Sequence, residues 1–171
     1  VDTFSLIKPD PRFEEQFVKN VKDFERQGEL TYFDMYKNAL LDFDEFVNEL
    51  LDHSRGSNLP AGWTIPYSTY WLINEKKEDI LGCIRIRHRE LAIHGHIGYD
   101  VPPRFRNRGY GTKLLRLAIE RIPELKLKKV IIACEENNIS SLRVIENSNG
   151  IFMQKICDDN GLTYHQYEIE L

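Results

Sequence analysis

The stretch "VPPRFRNRGYGTKLL", residues 101–115, decides the reading of this chain. Arg104, Arg106, Arg108, Lys113 and Arg116 follow one another with no acid between them, although the whole protein carries a net charge of −4. Gly109 and Gly111 stand just before an apolar helical run. A strand that ends at 101 and a helix that begins near 109 leave unbonded N–H groups at the loop's end. A helix N-terminus attracts anions through those donors and through its dipole. Glycines let a backbone come close to a phosphate, and arginines add charge-assisted bonds. The stretch therefore predicts a phosphate or diphosphate cradle.

The elements on either side of it form a consistent order. "HGHIGYDV" (94–101) reads as the strand before the loop, stopped by Pro102 and Pro103. From Gly109 to Ile122 the positions Tyr110, Leu114, Leu115, Ala118 and Ile122 make one apolar stripe, ended by Pro123. "KKVIIAC" (128–134) is a short β-branched run, expected as a strand covered on both faces. Residues 139–147 predict a short helix, and "GIFMQKIC" with "TYHQYEIEL" predicts a closing hairpin around Asp158–Gly161. Upstream, 69–91 alternates with period two and breaks near Glu75–Asp79, which gives two strands. Two amphipathic helices are expected in 10–28 and 42–56, after a first strand in 3–9. Residues 54–68 read as a loop. The expected order is strand, two helices, three strands, helix, strand, helix, two strands. This is a single α+β domain over residues 1–171: one mixed, mostly antiparallel sheet with a parallel crossover at 94–134.

Composition narrows the function. The 171 residues are 42% apolar and 29% charged, ordinary for a soluble globular chain. No apolar run approaches a membrane span, and no charged-then-apolar leader opens the chain, so a cytoplasmic protein is expected. The acidic balance argues against nucleic acid. Cys83, Cys134 and Cys157 all sit in apolar stretches and are expected as buried free thiols. Their spacing fits no metal site. Charge is uneven: residues 1–60 hold 13 acids against 7 bases, and residues 104–130 hold 9 bases against 2 acids.

Three glycine motifs compete for the loop. The dinucleotide fingerprint fails because position 114 is Leu, and the phosphate loop of nucleotide hydrolases fails because Gly-Lys-Ser/Thr is missing. The pattern Arg/Gln-x-x-Gly-x-Gly/Ala is met by Arg106, Gly109 and Gly111. That pattern resembles the pyrophosphate loop of the GNAT superfamily of acetyl-CoA-dependent acetyltransferases. The resemblance covers roughly residues 69–155. With "GHIGYDV" before the loop and "N-x-x-S-x-x-V-I-E" after the next strand, the chain looks most like a bacterial group of predicted acetyltransferases.

The resemblance implies acetyl-CoA as co-substrate. The strand before the loop is then expected to pair with the pantetheine arm through Tyr99, Asp100 and Val101. The diphosphate is expected on Arg106, Asn107, Arg108, Gly109, Tyr110, Gly111 and Thr112, with Asn138 and Ser141 beside the pantetheine. The strand at 128–134 is expected to splay away and open the slot. Many members carry a Tyr seven places after the Asn; here that place is Ile145, so the acid for the leaving thiolate is open, with Tyr110, Tyr164 or Tyr167 as substitutes.

For the base, His96 borders the expected slot, with His94 on the same face by alternation, and an imidazole titrates near neutrality. Glu135, at the end of the following strand, is the second candidate. Tyr32, Phe33, Tyr36, Trp63 and Tyr67, with the acids of the first 60 residues, are expected to wall the acceptor side and to suit a cationic amine of a small molecule or peptide. The expected reaction is direct attack of that amine in a ternary complex. A non-catalytic acyl-CoA-binding module and a plain interaction protein are the competing readings, and a homodimer is left open.

Overall fold

A computed structural model describes residues 2–76 and 78–171. Seven strands form one sheet in the order β1-β2-β3-β4-β5-β7-β6. They are β1 (Phe4–Ile7), β2 (Tyr67–Asn74), β3 (Asp79–Leu91), β4 (Gly95–Asp100), β5 (Lys129–Glu135), β6 (Ile151–Cys157) and β7 (Thr163–Glu170). Neighbours run antiparallel except β4 and β5, which are parallel. This is the mixed α+β sheet expected from the sequence.

Two apolar layers cover the sheet. On one face α4 (Tyr110–Ile119) and α5 (Ile139–Glu146) pack over Leu72, Ile84, Ile86, Ile97, Val130 and Ile132. On the other, α1 (Glu14–Arg26), α2 (Leu30–Tyr36) and α3 (Phe43–Arg55) pack Phe17, Val21, Phe24, Phe46 and Val47 against Trp71, Ile73 and Ile80. Alternation along each strand sends successive side chains to opposite layers. Ile97 and Tyr99 of β4 therefore belong to the α4–α5 face, while Gly98 and Asp100 belong to the α1–α3 face.

Three expectations change. The first block holds three helices rather than two, because "LTYFDMY" forms α2 after the left-handed Gly28 (φ +73). No side chain caps that helix; it stands because Tyr32 packs on Phe24 and Tyr36 on Phe17. The helix after the loop ends at Ile119, and Ile122–Leu125 is a separate 3-10 turn begun by Pro123. Cys83 and Cys134 are buried free thiols, but Cys157 is exposed because β6 is an open edge strand. Among the described residues no helix is long and apolar enough to cross a membrane.

Candidate functional site

The parallel pair β4–β5 comes apart. Gly95 and Ile97 both register with Ile132, and no pair follows. Beyond Ile97 the two strands are the arms of a fork. Its apex is held by a close approach and one hydrogen bond. Gly95 has φ +61, and a Cβ there would lie 2.7 Å from the carbonyl carbon of Ile131 and nearer still to its oxygen. His96 bulges between the two registered residues, and its Nδ1 accepts the Ile131 N–H at 3.0 Å. The ring is buried, and that burial pulls its pKa below the usual imidazole value.

That geometry changes the reading of His96. Accepting at Nδ1 puts the ring proton on Nε2, so the imidazole has no free lone pair with which to take a proton from an amine. His96 is a fork-holding residue. Glu135 is placed differently. It ends β5 on the face of Ala133, opposite Tyr164 of β7, and its carboxylate has no cationic partner among the described residues.

Past the fork, the chain from β4 enters a 3-10 turn (Pro103–Phe105) and then the glycine loop. Asn107 (φ +59) and Gly109 (φ +77) are both left-handed. Such alternation turns successive N–H groups to one side, a backbone nest for an anion. The amides of residues 107–112 donate to no protein acceptor among the described residues, and no side chain caps α4. A Cβ at Gly109 would meet nothing within 4 Å, so the space over the nest is open. A groove of about 320 Å³ adjoins it, lined by Gly109, Thr112, Lys113, Arg116 and Leu117. Gly111 serves another purpose: a Cβ there would stand 3.1 Å from Val144 Cγ2, so the glycine lets α4 pack on α5.

The loop's arginines divide. Arg106 donates from Nη2 to Glu29 Oε2 at 2.8 Å and from Nε to the Val101 carbonyl at 2.9 Å, while Nη1 binds Glu29 Oε1. Its guanidinium thus ties the loop to the start of α2. Arg104 is tied to Asp23, with its backbone N–H on Asp23 Oδ2 at 3.0 Å. Arg108 is exposed, and no protein partner holds it among the described residues. It is the arginine free to meet a phosphate.

Around the mouth of the fork, Tyr99 donates to Ser141 Oγ at 3.1 Å and so links β4 to α5. Burial pushes the Tyr99 phenol up to about 12. Asn138 caps α5 by accepting the Ser141 N–H at 3.1 Å, which leaves its amide NH2 free to donate. Asp100 turns the other way. Its carboxylate accepts from Arg85 at 2.8 Å and from the Tyr36 hydroxyl inside the α1–α3 layer, so only its main chain faces the fork. Ile145 is fully buried. Of the expected tyrosines, Tyr110 packs between Phe4 and Phe105, Tyr167 donates to Glu146 at 3.2 Å, and Tyr164 stands edge-on to His94. None of the three joins β4 to α5 as Tyr99 does.

The family model described as an acetyltransferase (GNAT) domain matches residues 23–149. The chain belongs to the GNAT acetyltransferase family. Solved structures agree in fold. A RimL ribosomal L7/L12 alpha-N-protein acetyltransferase in complex with coenzyme A superposes with a TM-score of 0.73 at 13% identity, over 99% of this chain and 94% of that one. The microcin C7 self-immunity acetyltransferase MccE, in complex with acetyl-CoA and AMP, gives 0.66 at 14% identity over 100% and 94%. A GNAT-family acetyltransferase from Bacillus anthracis gives 0.64 at 19% identity over 98% and 94%. No curated protein matches the sequence. On the α1–α3 face of β4, a Cβ at Gly98 would meet the guanidinium groups of Arg85 and Arg87.

Proposed function

We propose that this GNAT protein moves an acetyl group from acetyl-CoA to a primary amine of a small molecule or peptide, by direct attack with both bound. The observation that carries the reading is the fork that opens at Ile97 and leads into six unsatisfied amides under an open Gly109. Those amides, with Arg108, suit a diphosphate. The β4 edge from Tyr99 to Val101 has no strand partner on the β5 side, so it suits the amide groups of a pantetheine arm. Asn138 offers its NH2 from the other arm.

Acetyl-CoA supplies an activated thioester. The chain's part is to orient the amine, remove its proton, polarise the carbonyl and protonate the leaving sulfur. An alkylammonium has a pKa of about 10.4, so it needs a base. Glu135, unpaired on the acceptor face of β5, takes that proton. A main-chain N–H of Gly98–Val101 donates to the carbonyl oxygen. The Tyr99–Ser141 hydroxyl pair, at the mouth of the fork, is the proton source for the sulfur. A thiol's ordinary pKa of about 8.5 makes this the least demanding step.

The test is CoA release from acetyl-CoA over a panel of primary amines, alongside calorimetry with CoA. Turnover is expected, and Glu135→Gln is expected to lower kcat by about 10²-fold, as loss of a general base does. Unchanged kcat in that variant removes Glu135 from the mechanism. CoA binding with no turnover of any amine replaces the transferase reading with that of an acyl-CoA-binding module.

A further inference from the structure

The acceptor side carries an unpaired cation that the acetyl chemistry does not use. On β3, Arg85 and Arg87 project to the α1–α3 face, the face of Gly98 and Glu135. Arg85 is neutralised by Asp100, at 2.8 Å. Arg87 forms no ion pair among the described residues. Its Nη1 reaches the Gly95 carbonyl only at 3.4 Å, and its buried Nε has no acceptor. The Trp63 ring lies 5.8 Å from its Cζ. Burial, and then the charge of Arg85, bring its pKa down to about 10, so it is a cation held where an anion would relieve it.

The surroundings leave room for that anion. Gly98 has no side chain; a Cβ there would sit 3.8 Å from Arg87 Nη2 and 3.7 Å from Arg85 Nη2. The floor of the face is therefore bare backbone flanked by two guanidinium edges. On the other arm, Ala133 presents a methyl and Glu135 an unpaired carboxylate. On this face β3 offers a cation without an anion and β5, beyond β4, an anion without a cation among the described residues.

Resting on the acetyltransferase reading, we propose that the acceptor is an α-amino acid, or an amine with a carboxylate equally close, whose carboxylate pairs with Arg87 while its amine faces Glu135. A guanidinium is built to take a planar carboxylate by two parallel hydrogen bonds, and Trp63 closes over the pair. A peptide N-terminus offers an amide carbonyl at that distance from its amine, which would leave Arg87 covered and still unpaired, a costly arrangement.

The test uses the full chain saturated with CoA and calorimetry with the common amino acids as free acids, as their primary amides, and as the corresponding decarboxylated amines. At least one free acid is expected to bind, at least tenfold tighter than its amide and its decarboxylated amine. Arg87→Gln is expected to remove that preference and to leave CoA affinity unchanged. Arg87→Lys, which keeps the charge and loses the fork, is expected to restore part of it. No free acid binding, equal binding of acid and amide, or a preference that survives in Arg87→Gln overturns the proposal. Turnover separates the two readings. If free amino acids are acetylated as well by Arg87→Gln as by the native chain, the anion site is refuted and the transferase stands. If acids bind through Arg87 with no acetylation, the anion site stands and the transferase falls.

Discussion

Gly95→Ala should close the fork from its apex. The native φ of +61 is left-handed, and a side chain there costs about 1–2 kcal/mol. The added Cβ would also lie 2.7 Å from the carbonyl carbon of Ile131 and 3.0 Å from its Cγ2. The first of these is backbone, so β5 has to move rather than a side-chain tip. Overpacking of that kind costs about 1–3 kcal/mol more. The sum, roughly 2–5 kcal/mol, should lower Tm by about 5–15 °C in a chain of this size. The movement also breaks the hydrogen bond from Ile131 to His96, which ties the arms together. CoA affinity, measured by calorimetry well below the new Tm, should fall with it. Gly98→Ala is the control on the same strand. Its Cβ meets only guanidinium atoms at 3.7 Å or more, so Tm should stay within about 2 °C. If Gly95→Ala melts within about 2 °C of the native chain, the close approach of β4 and β5 does not define the fork and the reasoning fails.

Three other outcomes follow from single features. Gly109→Asp should abolish measurable CoA binding in calorimetry while costing only a few degrees of Tm, because its side chain enters open space over the nest and brings a like charge; native-like affinity would remove the nest from the site. Asp100→Ala leaves Arg85 buried beside Tyr36 without its counter-ion, which should cost about 3–5 kcal/mol in urea denaturation. The apolar pair Arg85→Met with Asp100→Leu should regain most of it, and failure to do so would mean the pair does more than neutralise itself. Finally, burial holds His96 below the usual imidazole pKa, as it does His88 and His94. The unfolded chain takes up those protons from about pH 6.5 downward while the folded one resists, so stability is present above that pH and declines as pH falls through the depressed values. His96→Gln, whose amide oxygen can still accept from Ile131 without titrating, should show a shallower fall of Tm between pH 7 and 5, and a slope equal to the native one would refute the assignment.

What the sequence discloses here follows a physical division. The proposed phosphate nest is written locally: Pro102–Pro103 stops a strand, Gly109 permits a left-handed turn, and an apolar stripe starts a helix at Tyr110, seven residues after Pro103, so the main-chain geometry is legible from one stretch. The side-chain roles are settled by partners far along the chain. Arg106 looks like a phosphate ligand until Glu29, from before α2, claims its guanidinium. His96 looks like a base until the fork delivers the Ile131 N–H to its lone pair. The helix α2 escapes notice because its support is tertiary, and Leu30 and Met35 are left exposed on it. "RIRHRE" reads only as part of an alternating strand, since nothing in it tells that α1–α3 and Trp63 will cover Arg85 and Arg87. Burial is what turns that ordinary strand into a charge with a purpose. Asp100 on the neighbouring strand β4 neutralises Arg85, while Arg87 has no acid among the described residues; a half-buried guanidinium left so draws its counter-ion from solvent or from a bound ligand, and the free-acid titrations separate the two.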